Sequence, residues 1–400
     1  MPSTLAWLDH DAEARKRTER VLALLEERDT VDELGLGGIR DAFADRLFPG
    51  TSTIQTRLRY FLFIPWIYRN LEREEVPSHE APEVGRDLEH RLTVRLQKAD
   101  DPDGVFGKEA GRKLKRLASE VYWAGLGEWG IRRFEGSRRR YHGALDGLYR
   151  RRRRIGESSE TDPESALPSV RTWHGGLPDP PEDFPDTPGL NLDLTAEEAF
   201  YLQDRVQETH SESLLATLFL EAEPVDCAFP WEHPIWSRLG ERHRLVLDHA
   251  RIFSKVAQGA TLLYNLLLSR KDDRIEKVEE YEERFAVWTT SLERAELGNW
   301  SLAVLWDLTR GQGHTITRGA RRFVEGWTEL CVSGRDLTDD PDAADLLRRR
   351  EEKLKGHRSR FRSDAALDRW SGKSGLGRFD YRWPEVSTYL EDLHTGLAAG

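Results

Sequence analysis

Two cysteines and one methionine in 400 residues leave little room for sulfur chemistry. Cys227 and Cys331 lie far apart and form no CxxC pair. That excludes a disulfide framework and a cysteine-based zinc site. Long apolar runs are missing too. The longest, Tyr60–Tyr68, is about half of what a bilayer-spanning helix needs, and Arg57, Arg59 and Arg69 flank it. Met1–Asp11 carries no basic-then-apolar signal pattern. The expectation is a cytoplasmic protein in a reducing compartment, without membrane contact. HExxH and HxK signatures are absent, and neither cysteine has a His and an acid at a recognised spacing. No metal, cofactor or catalytic residue is therefore expected. Lysine is scarce as well, 11 against 49 arginines. This reads first as the bias of a GC-rich genome, so arginine abundance alone says little about nucleic acid.

What is present argues for folded cores. The 13 Trp, 15 Phe and 10 Tyr are more than disordered chains carry, and the length suits two domains. The formal net charge of −11 hides an alternation. Residues 108–154 hold 15 basic and 5 acidic groups, a net of +10, whereas residues 155–193 hold 1 basic and 9 acidic, a net of −8. Arg348–Arg362 adds a second basic stretch on an expected helix, with eight basic and two acidic residues.

Helical periodicity dominates. An opening helix is expected around Ala14–Leu25, a short one over Ile39–Phe48, and a central one over Ile54–Leu71 capped from Thr51–Thr53. Phe61–Trp66 is apolar all round, which places that helix in the middle of a domain. Glycines at 125, 127, 130, 136, 143 and 147 predict short elements with tight turns in the basic module, and a small winged-helix-like piece around 112–150. Seven prolines make 156–191 a semi-extended linker. Thr195 followed by Glu198 starts a helical run over 196–221, 235–270, 274–297, 315–332, 341–357 and 384–397. Trp288, Trp300, Trp306 and Trp327 fall at core positions. The fold class is mainly α: an N-terminal helical domain (1–154), an acidic Pro-rich linker (155–193) and a C-terminal helical domain (194–400).

Short motifs give weak signals. Gly35-Leu36-Gly37-Gly38 departs from GxGxxG and reads as a turn. Gly372-Lys373-Ser374 lacks the earlier glycine of a phosphate loop. Arg205…His210 and Arg238…His243 match the Arg-x4-His pattern of helical HEPN-type ribonucleases. Chance supplies about one or two such matches in a chain this rich in arginine, so surface residues are the simpler reading. The basic module is the stronger signal. Its candidate nucleic-acid contacts are Arg112, Lys113, Lys115, Arg116, Arg132, Arg133, Arg138, Arg139, Arg140, Arg150, Arg151, Arg152, Arg153 and Arg154. They are interleaved with Tyr122, Trp123, Trp129, Phe134, Tyr141 and Tyr149, which suits phosphate contact with stacking or packing. A solvated face, or pairing with the acidic linker, would use the same residues.

Gly38–Arg57, running into Arg59-Tyr60-Phe61-Leu62-Phe63-Ile64-Pro65-Trp66, resembles domain-of-unknown-function (DUF) family 6361 of prokaryotes. So do Tyr122–Phe134, Gly176-Leu177-Pro178 and Tyr381-Arg382-Trp383-Pro384. The resemblance covers nearly the whole chain and brings no catalytic residues with it. It implies a setting near helicase or nuclease genes in phage-defence loci. The function expected is a non-enzymatic subunit that binds DNA or RNA beside partner proteins. An adaptor for an acidic protein and a HEPN-like ribonuclease are the alternatives.

Overall fold

The computed structural model describes residues 32–108, 116–161, 171–375 and 378–400, with the backbone alone over 155–161. The helix expected around Ala14–Leu25 and the candidate residues Arg112, Lys113 and Lys115 lie outside them. The architecture is mainly α. Its first helices are α1 (Gly37–Leu47), α2 (Tyr60–Arg73), α3 (Ala81–Leu96), α4 (Ala118–Glu128) and α5 (Arg138–Thr161). There follow α6 (Ala196–His210), α7 (Leu214–Glu221), α8 (Glu241–Lys271), α9 (Ile275–Thr290) and α10 (Arg294–Asn299). The last are α11 (Leu302–Leu308), α12 (Arg318–Val332), α13 (Pro341–Lys355), α14 (Asp364–Leu367) and α15 (Trp383–Ala398). Among the described residues the only β pairing is an isolated bridge between Arg132 and Trp173, so the basic module shows no wing strands there.

The chain divides into two compact units, neither continuous in sequence. One comprises Asp248–Phe379 with the described residues up to Phe43; the other comprises Ala44–Leu247 and Asp380–Gly400. In the first, three tryptophans dock on α8. Their indole N–H groups reach the Lys255 carbonyl (Trp288, 2.8 Å), His249 Nδ1 (Trp300, 2.9 Å) and the Val256 carbonyl (Trp327, 2.9 Å). A Cβ on Gly259 would stand 2.0 Å from the Trp288 ring, so only glycine lets α9 come this close. The residues entering α1 are held by α13 and the turn after it. Arg350 donates to the carbonyls of Leu34 and Gly35, and Glu33 pairs with Arg360 at 2.6 Å and with Lys355.

The second unit is built around α2. Every residue from Tyr60 to Tyr68 is buried, as the all-round apolar sequence requires. The helix begins six residues later than its periodicity predicts. The N–H groups of Thr56 and Arg57 meet the Tyr122 hydroxyl at 2.8 and 3.1 Å. That of Leu58 meets the Asp392 carboxylate at 2.8 Å, and Arg57 Nε bonds the same group at 2.8 Å. Donors already satisfied by side chains leave no drive to extend the helix backward. Burial pushes the Asp392 carboxyl up to about 6.

Other boundaries also moved. The expected helix over 196–221 breaks into two because Ser213 caps α7, accepting from the Ala216 N–H. The capping box at Thr195 and Glu198 forms as its sequence suggests. The described part of the proline-rich stretch, 171–193, has no helix and lies on α2. Trp66 Nε1 donates to the Pro178 carbonyl at 2.8 Å, and the Phe184 ring packs on those of Phe63 and Trp66.

Phe61 is fully buried and stacks on Trp129 with ring centroids 3.8 Å apart. Phe61→Ala should cost roughly 3–5 kcal/mol. Urea unfolding of the variant measures it, and an unchanged midpoint would mean that the ring is not in the core.

Candidate nucleic-acid interface

Helix α5 carries most of the described part of the basic module. The glycines that predicted short elements, Gly143 and Gly147, lie inside a single helix of 24 residues. Isolated glycines cost a helix about 1 kcal/mol each, and tertiary packing on the opposite side overrides that here. At 3.6 residues per turn, Tyr141, His142, Leu145 and Tyr149 fall on one side of α5 with Arg138 and Arg152. The first four are buried. Arg139, Arg140, Gly143, Gly147, Arg150, Arg151 and Arg154 share an arc of about 120° on the other side, and all seven are exposed.

Two buried carboxylates take up the inward arginines. Glu72, in the last turn of α2, accepts from the Tyr141 hydroxyl, Thr172 Oγ1 (2.5 Å), Trp173 Nε1 (3.1 Å) and Arg152 Nη2 (2.6 Å). Glu89, on α3, accepts from the Ser119 N–H and hydroxyl at 2.9 and 2.6 Å, with Arg138 3.9 Å away. Burial pushes the Glu89 carboxyl above the usual carboxylate range. Arg138 also bonds Ser119 Oγ at 2.8 Å and pairs with Glu120. Arg132 donates to the carbonyls of Trp123 and Phe134 and lies over the Trp123 ring. Arg153 pairs with Glu75.

The fourteen candidates therefore split. Arg132, Arg138, Arg152 and Arg153 are engaged within the fold. Arg133, Arg139, Arg140, Arg150 and Arg151 are exposed, and among the described residues no ion pair holds them. Arg116 and Arg154 are exposed as well. Aromatic stacking on a ligand is not what most of the interleaved rings do: Tyr122, Trp123, Trp129, Tyr141 and Tyr149 are buried. Three of the five described acids of the proline-rich stretch pair elsewhere, Asp179 with Arg69, Asp186 with Arg91 and Asp193 with Arg57.

Among the remaining candidates Arg238 is exposed, while most of the others are engaged within their own units. Arg205 is buried, not on the surface, and pairs with Glu208 and Asp204 of its own helix. His210 Nε2 lies 2.9 Å from the Glu128 carbonyl, and His243 Nε2 lies 3.1 Å from Thr217 Oγ1. In the basic stretch 348–362, Arg349, Lys355, Arg360 and Arg362 are ion-paired within their unit. The turn at Gly35 has its following amides, those of Leu36 and Gly37, occupied by the Asp32 carboxylate. A cavity of about 220 Å³ beside α3 is lined by Glu83, Asp87 and Glu89 together with Arg86 and His90, which does not suit an anion. Among the described residues no group of His, Cys, Asp or Glu could hold a metal ion, and no helix is long and apolar enough to cross a membrane.

Sequence reasoning passed over Glu72, Glu89 and the glycine faces of Gly143 and Gly147. The carboxylates carry no local signal, since their partners are distant in the chain. The glycines could have been found by projecting residues 138–154 onto a helix.

His142 is buried against the parallel Tyr68 ring, 5.6 Å between centroids, and its Nε2 has no hydrogen-bond partner. Burial, reinforced by the Arg138 charge, pulls the imidazole down to about 4. A base whose folded value lies below its unfolded one gives stability that is complete above pH 6.5 and lost as the pH falls toward 4. His142→Phe should flatten this part of a melting-temperature profile. An unchanged slope between pH 6.5 and 4 would show that His142 is not the group responsible.

No curated protein and no solved structure matches the chain. The model of the family of unknown function DUF6361 matches residues 2–396, and the chain belongs to that family.

Proposed function

We propose that this chain is a non-enzymatic, nucleic-acid-associated subunit and that the outer face of α5 is its contact surface. The supporting observation is the division of the arginines. Those facing inward meet Glu72 and Glu89, while Arg139, Arg140, Arg150 and Arg151 share one exposed side with no described carboxylate to pair them. Desolvated arginines need partners, whereas a row of exposed ones is a site for a polyanion. The setting proposed, phage defence beside partner proteins, is an expectation from the family resemblance alone.

The test is binding measured across salt. The chain should bind nucleic acid at about 50 mM salt and weaken as salt rises. Replacing Arg139, Arg140, Arg150 and Arg151 together by Ala should flatten the slope of log affinity against log salt by roughly 3 to 4, about 0.9 for each duplex phosphate no longer neutralised. Arg138→Gln and Arg152→Gln should instead lower the melting temperature, because each leaves a buried carboxylate short of a cation. Failure to bind DNA or RNA at about 50 mM salt would sink the proposal. Capture of an acidic protein through the same arginines would then favour the adaptor, and RNA cleavage abolished by His243→Ala would favour the ribonuclease.

A further inference from the structure

We infer that the ligand of the α5 face is duplex DNA, held through phosphates on both sides of a groove and without regard to base sequence. This rests on the nucleic-acid reading of that face and goes further on three observations. The first is the fate of the aromatic rings. Proteins that hold single strands present rings on which successive bases stack. Here Tyr122, Trp123, Trp129, Tyr141 and Tyr149 are buried among themselves and their neighbours, with Tyr141 5.5 Å from Trp123 and Trp123 5.4 Å from Tyr68. Between Arg139 and Arg154 the face carries arginine and glycine only. It has charge for phosphates and nothing for an unpaired base.

The second is spacing. Arg139 and Arg140 form one cluster and Arg150 and Arg151 another, about 16 Å apart along the helix axis. A B-form major groove is about 12 Å wide, so with the reach of the guanidinium arms each cluster meets the phosphate backbone on its own side. A flexible single strand offers no such fixed pair of charged rails.

The third concerns the two glycines between the clusters. A Cβ added to Gly143 or Gly147 would meet no atom within 4 Å. Nothing inside the described fold therefore requires glycine at either position, although each lowers helix stability. Bare backbone at the middle of a cationic face lets the helix axis come close to a bulky rod, which is what contact with both rails demands.

The experiment compares three probes of about 20 base pairs or nucleotides at one salt concentration: duplex DNA, its single strand and the matching RNA duplex. Duplex DNA should bind about tenfold or more tighter than the single strand, and a scrambled duplex equally well. A Gly143→Leu/Gly147→Leu variant should melt at the same or a higher temperature, since leucine is the better helix former and both positions are open. Its duplex affinity should fall about tenfold while single-strand affinity stays within about twofold. Equal or tighter binding of the single strand, or undiminished duplex binding by the leucine variant, overturns the duplex inference and leaves the nucleic-acid reading standing. Preference for the RNA duplex overturns it as to DNA. No binding to any probe overturns both.

Discussion

The Glu72 carboxylate decides which way the basic helix faces. It lies buried in the last turn of α2 and accepts from four side chains on two other segments, α5 and the stretch at Thr172 and Trp173. A carboxylate out of water is costly unless its oxygens are filled, so the donors hold together as a unit. Two of them, Tyr141 and Arg152, sit on the same side of α5 about three turns apart. Fixing both fixes the rotation of the helix about its axis. Arg139, Arg140, Arg150 and Arg151 are then turned away from the described core, on the exposed side. The exposed charge on which the functional proposal rests is thus the other side of a buried charge balance.

Arginine serves both sides because of its chemistry. Its planar, permanently charged guanidinium fits a carboxylate in a partly dry site and is more weakly hydrated than an ammonium. Arg152 over Glu72 and Arg59 against Glu198 and Asn191 are of that kind. The same side chain, left in water, is a strong phosphate donor. A chain with few lysines can therefore carry one residue type through core, ion pairs and surface, and the amino-acid count cannot tell these uses apart.

How much of this the sequence displays follows from where the determining contacts lie. The all-round apolar run at Phe61–Trp66 is local information, and it marks the centre of the second unit without ambiguity. The start of α2 is not local. It depends on Tyr122 and on Asp392, the latter 334 residues beyond Leu58. The basic module is visible as charge, but its division into inward and outward arginines is written in Glu72 and Glu89, outside the module. Its rings resembled stacking platforms because a stacking ring and a core ring have the same composition; burial separates them. Gly143 and Gly147 looked like breaks because intrinsic propensity opposes them, and packing of Tyr141, Leu145 and Tyr149 on the far side outweighs it. The tight turns elsewhere in the module are genuine, with Gly130 and Gly136 both at positive φ.

The reach of Asp392 has a consequence for how the chain comes into being. Residues 44–247 and 380–400 belong to one unit, and all of Asp248–Phe379 is translated between them. Until α15 leaves the ribosome, the Leu58 amide has no carboxylate, Arg57 has only the more distant Asp193, and Gln55 has no Tyr389 hydroxyl to accept from. At synthesis rates of about 5–20 residues per second that interval is on the order of ten seconds. Throughout it, the buried run Tyr60–Tyr68 must wait beside an unfinished core. The nascent second unit is accordingly the stage at which a holdase chaperone has most to protect.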